Sequence, residues 1–131
     1  MLKQYFFLAA LFVVYGCNSN DIDFVEISLQ ACAIENPLQD LNWLRAEVKK
    51  RKNDDSEDAR YCYISQVEFE GSTYFLFEDC NPLVNKIVPI YDCEGANKGV
   101  FGDAIFGFDI FKSRTIIFYP ENTLCEFNLN E

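Results

Sequence analysis

Six cysteines, twenty-one carboxylates and no histidine set the chemistry open to this 131-residue chain. Without histidine there is no Ser-His or Cys-His nucleophile. No close CxxC pair is present either, so a zinc site lacks its usual spacing. Acid pairs remain in Glu78-Asp79, Asp92 with Glu94, and Asp103 with Asp109. Two carboxylates about 5–10 Å apart across a cleft could hydrolyse a glycoside. A chain this short has little room for such a cleft, and these acids read better as solvated loops and strand ends. Asp92-Cys93-Glu94-Gly95-Ala96-Asn97 places oxygen ligands at alternate positions, as a calcium loop does. It lacks the twelve-residue span ending in a bidentate Glu, and reads instead as a tight turn with Gly95 at positive φ. The expectation is no catalytic residue, no metal and no cofactor.

The cysteine with the most definite chemistry is Cys17. Met1-Leu2-Lys3 is a short positive segment, and residues 4–15 are apolar apart from Gln4. At about 1.5 Å per residue this run spans roughly 18 Å as a helix, too short to cross a bilayer. It has the length of a signal-peptide apolar region. Val14-Tyr15-Gly16-Cys17 closes it and resembles the bacterial lipobox, with Tyr15 bulky for its slot. Gly16 leaves a peptidase room to reach the bond before Cys17, whose thiol then carries a diacylglyceryl group. Acyl chains contribute about 0.8 kcal/mol per buried methylene, enough together for stable anchoring. Residues 1–16 are thus expected to be a signal peptide. Residues 17–30, opening with polar Asn18-Ser19-Asn20-Asp21, form the lipidated tether, and residues 31–131 form one domain.

Removal of residues 1–16 leaves 115 residues, a common domain size. Half the chain is hydrophobic and 16% is aromatic, with 13 Phe and 7 Tyr, so a packed core is within reach. The chain carries net charge −10, and loss of Lys3 takes the mature part to −11. That balance argues against nucleic acid, whose phosphates need clustered Lys and Arg, and against polybasic adsorption to anionic lipid.

Cys32, Cys62, Cys80, Cys93 and Cys125 remain after lipidation. In an oxidising compartment they should pair, leaving one thiol over. Two bridges can be drawn among five cysteines in fifteen ways. A Cys80–Cys93 bridge would staple the Asn81-Pro82 loop to the sheet. Cys32 could then reach Cys62, with Cys125 the odd one.

The elements that would position these residues follow from periodicity. Val25, Ile27 and Leu29 alternate with polar residues, indicating an extended segment over 24–29. Asn36 suits a helix N-cap, Pro37 the first turn, and Gln39 a capping box. Leu38, Leu41, Leu44 and Val48 form an apolar stripe with Trp43 beside it, and Lys49-Lys50-Arg51-Lys52 ends the helix. Residues 53–58 are polar and read as a loop. From Tyr61 the period becomes twofold, and Gly71-Ser72 separates two strands that should form a hairpin. Further strands are expected over 87–93, 98–101 and 114–119. Pro89 points to an edge or irregular position, and residues 102–108 read as a loose connection. The fold class expected is α+β: one N-terminal amphipathic helix packed on a four- to five-stranded, mainly antiparallel sheet. Tyr61, Tyr63 and Tyr74 fall on neighbouring strands, either packed under the helix or forming an aromatic binding face.

Cys32, the segment Asn36-Pro37-Leu38-Gln39-Asp40-Leu41-Asn42-Trp43-Leu44, the hairpin around Gly71 with Cys80, and Tyr91-Asp92-Cys93-Glu94-Gly95 together resemble a family of short Bacteroidota lipoproteins. The shared features are a P-L-x-x-L-x-W-L helix, a Tyr-rich hairpin and a Y-D-C-x-G turn, over roughly residues 32–101. That family is a domain of unknown function, so the resemblance implies an architecture and transfers no activity. The outer-membrane location is implied by Asn18-Ser19-Asn20-Asp21-Ile22-Asp23, which resembles the acidic stretch after the lipidated Cys of surface-exported Bacteroidota lipoproteins. Members commonly add cysteines after the Y-D-C-x-G turn, and Gly99-Val100-Phe101-Gly102-Asp103 has none.

Together these readings favour a membrane-anchored, non-enzymatic module that binds a protein or small ligand. The alternatives are a small inhibitor presenting Pro82-Leu83-Val84 to a protease and, last, a carboxylate-based hydrolase.

Overall fold

The computed structural model describes residues 22–127. Residues 1–16, expected to be a signal peptide, and Cys17 lie outside the described residues. Six strands form one antiparallel sheet in the order β1-β6-β2-β3-β4-β5: β1 Phe24–Glu26, β2 Cys62–Phe69, β3 Ser72–Asp79, β4 Pro89–Tyr91, β5 Asn97–Val100 and β6 Thr115–Pro120. The class is α+β, with more strands than expected. The sixth strand is β1, part of the extended segment expected over 24–29, which joins the sheet: its Phe24 pairs with Pro120 and stacks on Phe118 at 5.2 Å. The sheet therefore begins by Phe24 and not at residue 31.

The expected helix is two pieces, α1 Pro37–Asp40 and α2 Asn42–Lys52, broken at Leu41, which has extended ψ of 112°. Asp40 and Asn42 flank the break, and both residue types favour turns and caps over helix interiors. The capping box does not form: Asn36 makes no side-chain cap bond, and its Oδ1 is buried without a partner. The stripe is nevertheless core. Leu38, Leu44 and Val48 pack on Ile64, Phe75, Ile117 and Phe118, with Leu41 and Trp43 half-buried against them.

The opposite face is also covered. Residues 101–113, with 102–108 expected to be a loose connection, fold back so that Phe106 and Ile110 pack on Val67, Leu76 and Ile90. Burial on both faces explains why five consecutive residues of β2, Tyr63 to Val67, are buried with no clean alternation. Tyr63 and Tyr74 share this second face, not the face under the helix. Tyr63 lies opposite Glu78, and Tyr74 meets the ring of Phe106 at 5.0 Å. Pro89 is the first residue of an interior strand, where its missing N–H costs no central ladder bond.

Two tight turns use residues at positive φ. Glu70 and Gly71, at 50° and 78°, turn β2 into β3. Cys32 and Ala33, at 56° and 59°, turn Ala31 back on Ile34 through reciprocal backbone bonds of 3.0 and 2.9 Å.

Candidate functional site

The sheet has two distinguishable ends, and strand direction assigns the cysteines to them. The near end is where β1 enters. β6 finishes there, β2 starts there, and β3 runs toward it, since Phe24 pairs with Pro120 and Cys62 with Asp79. β4 runs antiparallel to β3 and carries the chain back to the far end. Cys80, just past β3, is consequently at the near end, and Cys93, just past β4, is at the far end. The expected Cys80–Cys93 bridge fails for this reason, and Cys32–Cys62 fails in the same way. The structure joins Cys32 to Cys93 at the far end and Cys80 to Cys125 at the near end, with Cα atoms 5.8 Å apart in both.

Among the described residues Cys62 is the free thiol. It borders a cavity of about 180 Å³ with Phe24, Arg51, Ala59 and Phe118, and lies 3.5 Å from Asp79 Oδ2. Burial, then the Asp79 charge, pushes this thiol above its ordinary value, so it is a poor thiolate nucleophile.

The near end carries the two most exposed apolar side chains of the described residues, Leu83 and Ile87, while Ile105 is exposed on the loop after β5 and Ile27 and Leu29 are less exposed beyond β1. Residues 81–87 connect β3 to β4 in a loop with a rigid base. Cys80 is bonded to Cys125, and its N–H donates to Tyr61 O at 2.9 Å. Asp79 accepts from the Asn81 N–H at 2.8 Å and pairs with Lys86, closing the loop on itself. Asn81 Oδ1 accepts from the Leu83 N–H at 3.0 Å, a local turn its side chain favours. Burial alone would raise the Asp79 carboxyl, but the Lys86 and Asn81 bonds hold it below its ordinary range. The C-terminal strap is fastened alongside, with Arg60 Nε donating to Asn122 O and the Leu124 N–H to Arg60 O, both at 3.0 Å. On this base Leu83 is 90% exposed and Ile87 76%, with Val84 also exposed. Phe108, 74% exposed, leans on Phe101, whose N–H donates to Val88 O beside Ile87. The tip of the far hairpin, by contrast, is polar and small: Glu70, Gly71 and Ser72.

Four of the acids considered for catalysis, Glu78, Asp79, Asp92 and Asp103, are committed to the fold. Glu78 and Asp79 are neighbours on one strand and point to opposite faces. Glu78 is buried on the second face, where it accepts from Ser65 Oγ, from Tyr63 Oη at 3.1 Å and from Arg114 Nε at 2.9 Å. Burial pushes its carboxyl above the ordinary value despite these bonds, and burial together with the Glu78 charge pushes Tyr63 up to about 12. Asp92 organises the expected turn, taking N–H bonds from Glu94 at 3.0 Å and Ala96 at 2.9 Å, with Gly95 at φ 80°. Those bonds and Lys98 outweigh burial and hold Asp92 below its ordinary range. Asp103 accepts N–H bonds from Phe106, Val100 and Ile105, which lower it likewise. Asp109 is exposed and pairs with Lys112. The basic helix end is partly used too: Arg51 bonds Glu47 and lies 4.8 Å over the Phe77 ring, and Lys52 pairs with Glu26.

The sequence flagged Pro82-Leu83-Val84 but missed Ile87, assigned to a strand, and Phe108, assigned to a loose connection. Their signal was apolar residues beside Lys86 and Asp109 with no periodicity linking them to a core. Compared with known proteins, the chain matches no family model, no curated protein and no solved structure.

Proposed function

We propose that this chain is a lipid-anchored module of a bacterial cell envelope, held at the outer membrane by acyl chains on Cys17 and acting by contact, not by catalysis. The observation that carries this reading is the near-end loop: apolar side chains are exposed on a base fixed by Cys80–Cys125 and by Asp79. Uncovered apolar groups on a fixed base suit docking, because little order is lost when they are buried. Two disulfides fit an oxidising compartment beyond the cytoplasm. The lipobox-like Val14-Tyr15-Gly16-Cys17 and the resemblance to short lipoproteins support the same address.

A photo-crosslinking amino acid placed at Leu83 in envelope-localised chain tests the reading. An adduct with an envelope component at Leu83, and none from Ser72 at the far turn, is the expected outcome. Equal labelling at both positions, or none at either, would remove the near end as a contact surface.

The exposure of Leu83 also favours a second reading, a loop offered to a protease with an apolar specificity pocket. That reading requires inhibition of such a protease with the 81–87 loop left uncut, and simple cleavage there would end it.

A further inference from the structure

From the anchored reading, on which this step rests, we infer that the near end is a bilayer-contact surface: Leu83, Val84, Ile87 and Phe108 seat in the interface of the membrane that holds the lipid on Cys17. Chain geometry is the first argument. Cys17 precedes Ile22 by five residues, which reach at most about 18 Å when extended. Ile22 leads directly into Phe24, and Phe24 is at the near end of the sheet. A lipid on Cys17 therefore keeps that end within one short tether of the bilayer.

Position across the sheet is the second argument. The 81–87 loop leaves β3, three strand spacings from β1, and β5 before Phe101 is five spacings away. At about 4.8 Å per spacing this is roughly 14–24 Å, so the entry point and the apolar tips share one end of a small domain. A bilayer is broad enough to meet them together. Composition is the third argument. The tips are aliphatic and aromatic, the groups that enter the boundary between headgroups and acyl chains. The chain's net charge of −10 disfavours an anionic surface, so the tips should be seen best in zwitterionic lipid.

The test uses full-length chain expressed in a bacterial host, recovered from membranes and reconstituted into phosphatidylcholine vesicles with brominated acyl chains. Native Trp43 is the chain's single tryptophan and lies at the far end, where its Nε1 donates to Cys93 O at 2.8 Å. It serves as an internal reference while Leu83→Trp, Ile87→Trp, Phe108→Trp and Ser72→Trp each add one reporter. These sites are exposed, so the additions leave the core intact. The mass of the N-terminal peptide is measured on the same samples. Acylated Cys17 with bromine quenching at positions 83, 87 and 108, and none at 72, is the expected result. Acylated Cys17 with no quenching at the tips overturns bilayer contact while the anchor stands, and assigns the near end to a protein. Absence of acyl mass on Cys17 removes the anchor and this inference together.

Discussion

Arg114 reaches across the second face of the sheet to place its Nε 2.9 Å from Glu78 Oε2, on a carboxylate only 3% exposed. Breaking such a pair leaves an uncompensated charge. Arg114→Met should therefore cost about 2–3 kcal/mol at neutral pH, at or below the low end for fully buried pairs because Arg114 is partly exposed. Burial raises the Glu78 carboxyl above its ordinary 4.5, so the folded chain holds that proton more tightly than the unfolded one. Its contribution is full below 4.5 and declines as pH rises through the raised value. Urea unfolding across this range should show Glu78→Gln removing that decline and Arg114→Met steepening it. Parallel pH profiles for all three proteins would contradict the assignment.

The two bridges close spans of 61 and 45 residues. The chain-entropy model gives about 4 kcal/mol for each, a large share of a small domain's stability. Cys32→Ser/Cys93→Ser and Cys80→Ser/Cys125→Ser should each lower the melting temperature, and only the second pair should free the 81–87 loop for proteolysis. Non-reducing peptide mapping that finds Cys80 joined to any cysteine but Cys125 would refute the pairing.

Leu44 is fully buried at 0% exposure, whereas Leu41 is half-buried at the helix break. Leu44→Ala should cost about 2–5 kcal/mol, Leu41→Ala less, and Lys50→Ala within about 0.5 kcal/mol. Equal losses at 41 and 44 in chemical unfolding would mean the break at Leu41 does not reduce its packing.

Ala33 is exposed at φ 59°, a region costing a side chain about 1–2 kcal/mol. Part of that gain is lost to the freer unfolded glycine, so Ala33→Gly should stabilise by up to about 1 kcal/mol. Gly95→Ala should do the opposite, because a Cβ there would meet Trp43 Cγ at 2.7 Å and Gly95 has φ 80°. Thermal melts read both, with Trp43 emission shifting in the second. A destabilised Ala33→Gly would show that the turn is held by something other than tolerance of its φ.

What could be read from the residues was local. The Leu38, Leu44 and Val48 stripe, the hairpin around Gly71 and the turn built by Asp92 all follow from spacing within a few residues. What escaped was set by topology. The cysteine pairing depended on Cys80 and Cys93 ending consecutive antiparallel strands, which sends them to opposite ends of the sheet. The second covered face was hidden because Phe106 and Ile110 lie in a glycine-punctuated stretch without periodicity. The near-end cluster joins Leu83, Ile87 and Phe108 across 25 residues of chain, and no motif links them.

The most direct measurement is the intact mass and N-terminal sequence of the protein recovered from membranes of a bacterial host. The account predicts a chain that begins at Cys17 and carries acyl mass on that residue, lost in Cys17→Ser. A mature chain that starts elsewhere, or an unmodified Cys17 in the membrane fraction, would contradict it.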